Sequence, residues 1–295
     1  MMPSHSKGLT DLEIARYGGL KHLICLLRLS GMDIGLSQDV IFVSIDLEVS
    51  RQERAAVLNN KSHIPHVKEL GIACFDTRLI FTLENPPPGL ASNAGTRLIS
   101  TTQFSTSNAS KDFEDCDFTD FQECVFAETF RINQRDLAAT TKRHLQFKDS
   151  TNSHTLRNIA IVGHSVKSDL GIIQRLGVDI CRIAPVIAVI DTHSLSRYIL
   201  KSGSGFSLSA ILTQFQCPCK LNELHNAGND ATYTLHIMVV LAIKWATSKD
   251  LTKGEFANVG RLQSFIQTEL YETPRWKPIR CALGAHCPDD DVNPI

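Results

Sequence analysis

At 295 residues, with 43% hydrophobic and 21% charged side chains, the chain is long enough to bury a large core and has the make-up of a globular protein. A formal net charge of −1 excludes a global electrostatic footprint for nucleic acid, so any such footprint has to be local. Nine scattered cysteines argue against a secreted disulfide scaffold and for reduced thiols in an intracellular setting, cytoplasmic or nuclear.

Residues 1–10 are polar, so no signal peptide is expected, and charges break every apolar run well short of a membrane span. Cys217, Cys219, Cys281 and Cys287 lack the knuckle spacing of a zinc site. From Leu9 to Leu29, residues Leu12, Tyr17, Leu20, Leu23, Ile24 and Leu27 give an apolar face of helical period, interrupted at Gly18-Gly19. Val40 to Ile45 is a β-branched run that predicts a buried strand and feeds into Asp46-Leu47-Glu48. A period of two puts Asp46 and Glu48 on one face at its end. Two neighbouring carboxylates repel, so the pair is either solvated where the strand emerges or holds a cation.

Arg51 to Asn60 reads as a helix and Glu69 to Thr77 as the next strand, an antiparallel neighbour of the first, with Leu79 to Leu83 continuing it after a turn. The pattern then lapses from Glu84 to Cys124. Pro86-Pro87-Pro88-Gly89 opens a Ser/Thr/Asn-rich stretch, and Lys111 to Glu128 carries seven acidic residues against one lysine, which predicts a flexible insertion. Val125 to Ile132 resumes as a third strand and Gln134 to Phe147 as a helix. Between Arg131 and Arg175, eight Lys or Arg stand against three acids, a local net charge of +5. Lys142, Arg143 and Lys167 in this stretch are candidate phosphate contacts, the alternative being an ordinary solvated helix surface.

Asn158 to His164 predicts a strand ending in a glycine turn, followed by a helix over Ser168 to Leu176 whose first turn carries Asp169. Alone, Asp169 is an acid favourably placed at a helix N-terminus. Val186 to Ile190 is a further strand. Ser194 to Lys201 and Ser207 to Phe215 are short helices, Asn229 to Trp245 is a long apolar one, and Glu255 to Leu270 is a last helix in the tail. His225-Asn226-Ala227-Gly228-Asn229-Asp230 puts a loop histidine five residues ahead of a helix-opening acid. The element order predicts an α/β fold with a mixed β-sheet.

Asp46-x-Glu48 at the end of the first strand, Gly163-His164 with Asp169 behind it, and His225 five residues before Asp230 together resemble the DEDDh 3′-5′ exonucleases of the ribonuclease-H-like (DnaQ-like) superfamily. The phrases Phe42 to Glu48, Gly71 to Arg78 and His225 to Ala231 are most similar to a fungal branch of that family. The resemblance covers about Val40 to Trp245. It implies a ribonuclease-H-like sheet flanked by helices and two Mg²⁺ or Mn²⁺ ions held by Asp46, Glu48, Asp169 and Asp230, with His225 as general base and Leu47 touching the terminal nucleotide. His164 is expected to make a structural hydrogen bond.

The expected organisation is an N-terminal helical extension over 1–39, the exonuclease domain over 40–246 with the insertion at 84–124, and a helical tail over 247–295. The expected activity is stepwise hydrolysis of RNA or single-stranded DNA from its 3′ end to nucleoside monophosphates, with RNA favoured. Alternatives are a binding module on the same fold or an internal-cutting nuclease of the superfamily. The insertion is expected to be a disordered spacer, the alternatives being an autoinhibitory cover or a docking segment for a protein partner, for which the terminal helices are the other candidate.

Overall fold

In the computed structural model the described residues are 19–31, 39–60, 63–81, 98–107, 123–149, 152 and 154–272. Six strands, β1 (Ile41–Val49), β2 (Val67–Asp76), β3 (Ile99–Ser107), β4 (Thr129–Asn133), β5 (Ile159–Gly163) and β6 (Val186–Asp191), form one sheet in the order β4-β3-β2-β1-β5-β6. The β1–β2 and β2–β3 pairs are antiparallel, while β3–β4, β1–β5 and β5–β6 are parallel. The mixed α/β architecture expected of a ribonuclease-H-like fold is therefore present.

Alternation along β1 divides the core into two layers. Ile41, Val43, Ile45, Leu47 and Val49 face one side, where they pack with α5 (Lys167–Arg175) through Leu170 and Ile173. Leu137 of α4 (Leu137–His144) and the adjoining Leu145 join the same layer. Phe42 faces the other side with Ala73, Phe75, Ile99, Ala160 and Ile190, beneath α9 (Ala227–Ala246). This helix is apolar on nearly every face because it is enclosed on nearly every face. Tyr233, Leu235, Ile237, Met238, Leu241 and Ala242 are all fully buried, and each large side chain so enclosed contributes about 1.5–3 kcal/mol of transfer free energy.

Helix α10 (Lys253–Gln267), opened by a Thr252/Glu255 capping box, closes over α9. Its Phe265 stacks on Phe75 with ring centroids 4.6 Å apart, and Phe75 stacks on Phe42 at 5.8 Å. Around this layer lie α1 (Leu20–Leu26), α7 (Thr192–Ile199) and α8 (Leu208–Gln214), while α2 (Arg51–Asn59) follows β1, α3 (Arg78–Phe81) is a single turn after β2, and α6 (Ile180–Ile183) precedes β6. At the N-terminal end of β1, the buried Arg157 donates to Asp76 Oδ1 at 2.7 Å and Asp39 Oδ1 at 2.6 Å, a partly exposed ionic cluster that clamps the sheet at that end. No helix among the described residues is long and apolar enough to cross a membrane.

Three expectations are corrected. The stretch from Glu84 to Cys124 contains β3, so it is not a patternless insertion throughout; residues 82–97 and 108–122 lie outside the described residues. Leu79 does not continue β2, because Arg78–Phe81 turns into α3, with the Ile80 and Phe81 amides bonded to Thr77 O. The third strand in sequence is Ile99–Ser107, and the strand expected over Val125 to Ile132 begins at Thr129 as β4. The helix expected over residues 9–29 is described only from Leu20, after Gly19 at φ 105°.

Candidate active site

The site follows from a difference in strand length. β5 pairs with β1 only as far as Ser44↔Val162, so β1 runs on past its parallel neighbour from Ile45. Asp169, in the first turn of α5, lies beside this overhang. The Leu47 backbone hydrogen-bonds its carboxylate, and the Ser168 hydroxyl does so at 3.4 Å. Asp46 and Glu48 point to the opposite face of β1 from Leu47 and meet the start of α9, which carries Asp230.

Four carboxylates from three elements thus share one corner. Glu48, His225 and Asp230 each present a ligand atom, and these atoms lie within 4.8 Å of one another. Burial pushes the Asp46 carboxyl well above its ordinary range, and the charges of Asp169, Asp230 and Glu48 push it further. Burial also raises Asp169 to about 7 against the Leu47 hydrogen bond, and raises Asp230 to about 7 against the backbone N–H of His225. Arg54 of α2 is the cation beside them. Its guanidinium lies 3.6 Å from Glu48 Oε2 and opposes the upward shifts of Asp46 and Asp169.

The loop into α9 sets the remaining geometry. His225 occupies the left-handed region at φ 64°, and its N–H donates to Asp230 Oδ2 at 3.0 Å. The other carboxylate oxygen, Asp230 Oδ1, is buried without a hydrogen-bond partner. Asn226 caps the helix by accepting the Asn229 N–H. Two more first-turn amides are met by side chains from the sheet: Ala227 N–H donates to Glu69 Oε2 and Gly228 N–H to Gln103 Oε1, each at 3.0 Å. The fit leaves no room for a side chain at Gly71, where a Cβ would fall 1.9 Å from the Ala227 carbonyl oxygen.

These observations decide whether the residues fit divalent cations. Oxygen donors from buried Asp169 and partly buried Asp46, Glu48 and Asp230, crowded together and one of them unpartnered, are the donor set of a hard cation, which neutralises them above the pH at which their own protons leave. The residues fit.

Asp46, Glu48, Asp169, His225 and Asp230 are brought together as expected from the sequence. The Leu47 side chain is 2% exposed in the opposite core layer, so what it offers the site is its backbone, which Asp169 engages. Lys142 and Arg143 lie in the last turn of α4, whose Leu137 packs in the same core layer as Leu47. Lys167 is exposed at the start of α5, two residues ahead of Asp169. His164 Nδ1 bonds Thr192 Oγ1 at 3.0 Å, and burial lowers its pKa to about 4, which suits a neutral structural histidine.

Sequence reasoning missed Arg54, Glu69 and Gln103. Arg54 had a local signal, since Ser50 caps α2 and puts residue 54 one turn on, beside the strand end. Glu69 and Gln103 had none, because their partners are 158 and 125 residues away.

Residues 41–241 match the DEDDh family described as DNA polymerase III subunit epsilon-like, C-terminal domain. No curated protein matches the chain.

Proposed function

The chain belongs to this DEDDh exonuclease family and is a nuclease of its superfamily, and from that premise we propose that it is a metal-dependent 3′-to-5′ exonuclease acting on RNA or single-stranded DNA, with RNA favoured, and releasing nucleoside monophosphates. The observation that carries the proposal is the convergence of Asp46, Glu48, Asp169 and Asp230 with His225 at the overhanging end of β1.

Asp46, Glu48, Asp169 and Asp230 would hold two Mg²⁺ or Mn²⁺ ions, whose oxygen preference suits these donors. When bound, such ions stabilise the negative charge that develops on the scissile phosphate. The chain's own residues supply the rest. The exposed His225 imidazole, within 4.8 Å of the Glu48 and Asp230 oxygens, takes the proton of the attacking water. That water's oxygen forms the new bond to phosphorus as the bond to the leaving 3′-oxygen breaks, and the leaving oxygen takes a proton from solvent. Arg54, exposed at the rim, meets the phosphate backbone and offsets part of the acidic charge that would otherwise repel it. Burial of Asp46 and Asp169 keeps their electrostatic interactions strong by excluding water.

The test is to incubate 5′-labelled single-stranded RNA and DNA with the protein in Mg²⁺ or Mn²⁺, alongside Asp46→Asn. A ladder shortening from the 3′ end, absent in the variant, is expected. Internal fragments would overturn the exonuclease reading, and binding without cleavage in either metal would overturn the enzyme reading.

A further inference from the structure

One buried acid beside the four carboxylates has a different engagement. Glu69 stands directly across from Glu48 in the β1–β2 register and is 7% exposed. Its Oε2 accepts the Ala227 N–H at 3.0 Å and a longer bond, 3.4 Å, from Gln103 Nε2. Gln103, on β3, uses its Oε1 for the Gly228 N–H at 3.0 Å. The first amides of a helix have no acceptors within the helix, and a local capping side chain ordinarily serves them. Here the local cap, Asn226, is present as well. Asn226 reaches only the Asn229 N–H, so Glu69 and Gln103 satisfy the Ala227 and Gly228 amides, and their role is to seat this turn on the sheet.

That role follows from what adjoins them. Ala227 is two residues after His225 and three before Asp230. The clamp therefore grips the chain between the histidine and the acid, on the side facing the sheet. The seat is tight on both strands: a Cβ at Gly71 would meet the Ala227 carbonyl, and one at Gly228 would lie 2.4 Å from Gln103 Oε1. With Ala227 held on β2 and the His225 N–H held by Asp230 Oδ2, the left-handed turn at His225 has little freedom, and its imidazole is delivered to Glu48 and Asp230. A carboxylate at this point also meets the positive end of a 20-residue helix, which an amide does less strongly.

We infer that Glu69, backed by Gln103, is a positioning residue for His225: by holding the Ala227 amide to the sheet it sets where the imidazole stands relative to the Glu48 and Asp230 carboxylates. Its consequence for turnover rests on the nuclease reading above, while the placement itself is measurable without turnover.

The experiment uses the full chain, with imidazole resonances recorded by NMR and the His225 signal identified by its loss in His225→Asn. In the wild type, saturating Mg²⁺ is expected to shift that signal, because the imidazole stands within 4.8 Å of the Glu48 and Asp230 oxygens. Glu69→Ala, with its cooperative melt retained, is expected to lose most of the shift, and kcat is expected to fall by about tenfold to a hundredfold with KM within about twofold. Glu69→Gln keeps an acceptor for Ala227 and is expected to recover most of both. A wild-type shift in Glu69→Ala, or equal losses in Glu69→Gln and Glu69→Ala, would overturn the inference, as would an unshifted His225 in the wild type. If Glu69→Ala does not fold, Gln103→Met carries the test, with a reduced shift expected and a wild-type shift overturning the clamp. A normal shift with no cleavage of RNA or DNA would remove the nuclease reading and leave the positioning role standing.

Discussion

The backbone N–H of His225 donates to Asp230 Oδ2 at 3.0 Å, from a residue whose φ is 64°. The candidate base and a candidate metal ligand are thus tied through the main chain, which a side-chain substitution leaves in place. His225→Ala removes the imidazole and keeps this tie. The rate should fall by about a hundredfold to ten-thousandfold, while stabilisation by Mg²⁺ or Mn²⁺ in a thermal melt stays close to that of the wild type. An unchanged cleavage rate would remove His225 from the mechanism.

The raised carboxyls fix the sign of a pH effect. Asp169 and Asp230 are raised to about 7 in the fold, and Asp46 is raised as well, so the folded state holds protons that the unfolded chain has released above its ordinary carboxyl range. Their contribution to stability is present at low pH and is lost as pH rises towards 7. In EDTA, the contribution of this cluster to the melting temperature should therefore decline across that window. Added Mg²⁺ should stabilise the protein by about 2.7 kcal/mol at pH 8 when its concentration is a hundred times Kd, and by less at pH 5.5, where protons compete for the same acids. Equal stabilisation at the two pH values would contradict a metal site built on these acids.

Asp46→Asn separates stability from function. It removes a buried charge that three other acids repel. The variant is expected to melt at a higher temperature than the wild type in EDTA at pH 8, and to lose both cleavage and its response to Mg²⁺. A lower melting temperature would mean that Asp46 is stabilised by partners other than a cation.

Gly71→Ala tests the seat of α9. A Cβ there lies 1.9 Å from a backbone oxygen, which no side-chain rotation relieves. The helix terminus must shift, at a cost of about 1–3 kcal/mol in stability. Cleavage should fall more than stability does, because the displaced terminus carries His225 and Asp230. Chemical denaturation and single-turnover rates measured together check this, and normal rates would show that the seat tolerates the added methyl.

Much of the fold was legible in the chain itself. β1, β5 and β6 carry dense β-branched runs, β2 a short apolar one and α9 a long apolar one, so their existence follows from composition over short windows. β3 was not legible, and its physical reason is visible in the structure. Residues 99, 101, 103 and 105 face α9, but Thr101 bonds Thr232 at 2.8 Å and Gln103 serves the Gly228 amide, so buried positions that would ordinarily be apolar are polar. The alternation that marks a strand is hidden by the hydrogen bonds the strand has to make.

The same distinction runs through the site. The sequence by itself determined that Asp46 and Glu48 share a face at a strand end, that Asp169 and Asp230 open helices, and that His225 precedes one of them, because these are relations among residues a few positions apart. Only the tertiary structure decided that β1 overhangs β5 and makes room for Asp169, and that Glu69 is engaged by α9. Periodicity is a local property of the backbone, whereas each of these outcomes depends on packing between segments many tens of residues apart, where no repeating pattern records which side chains will meet.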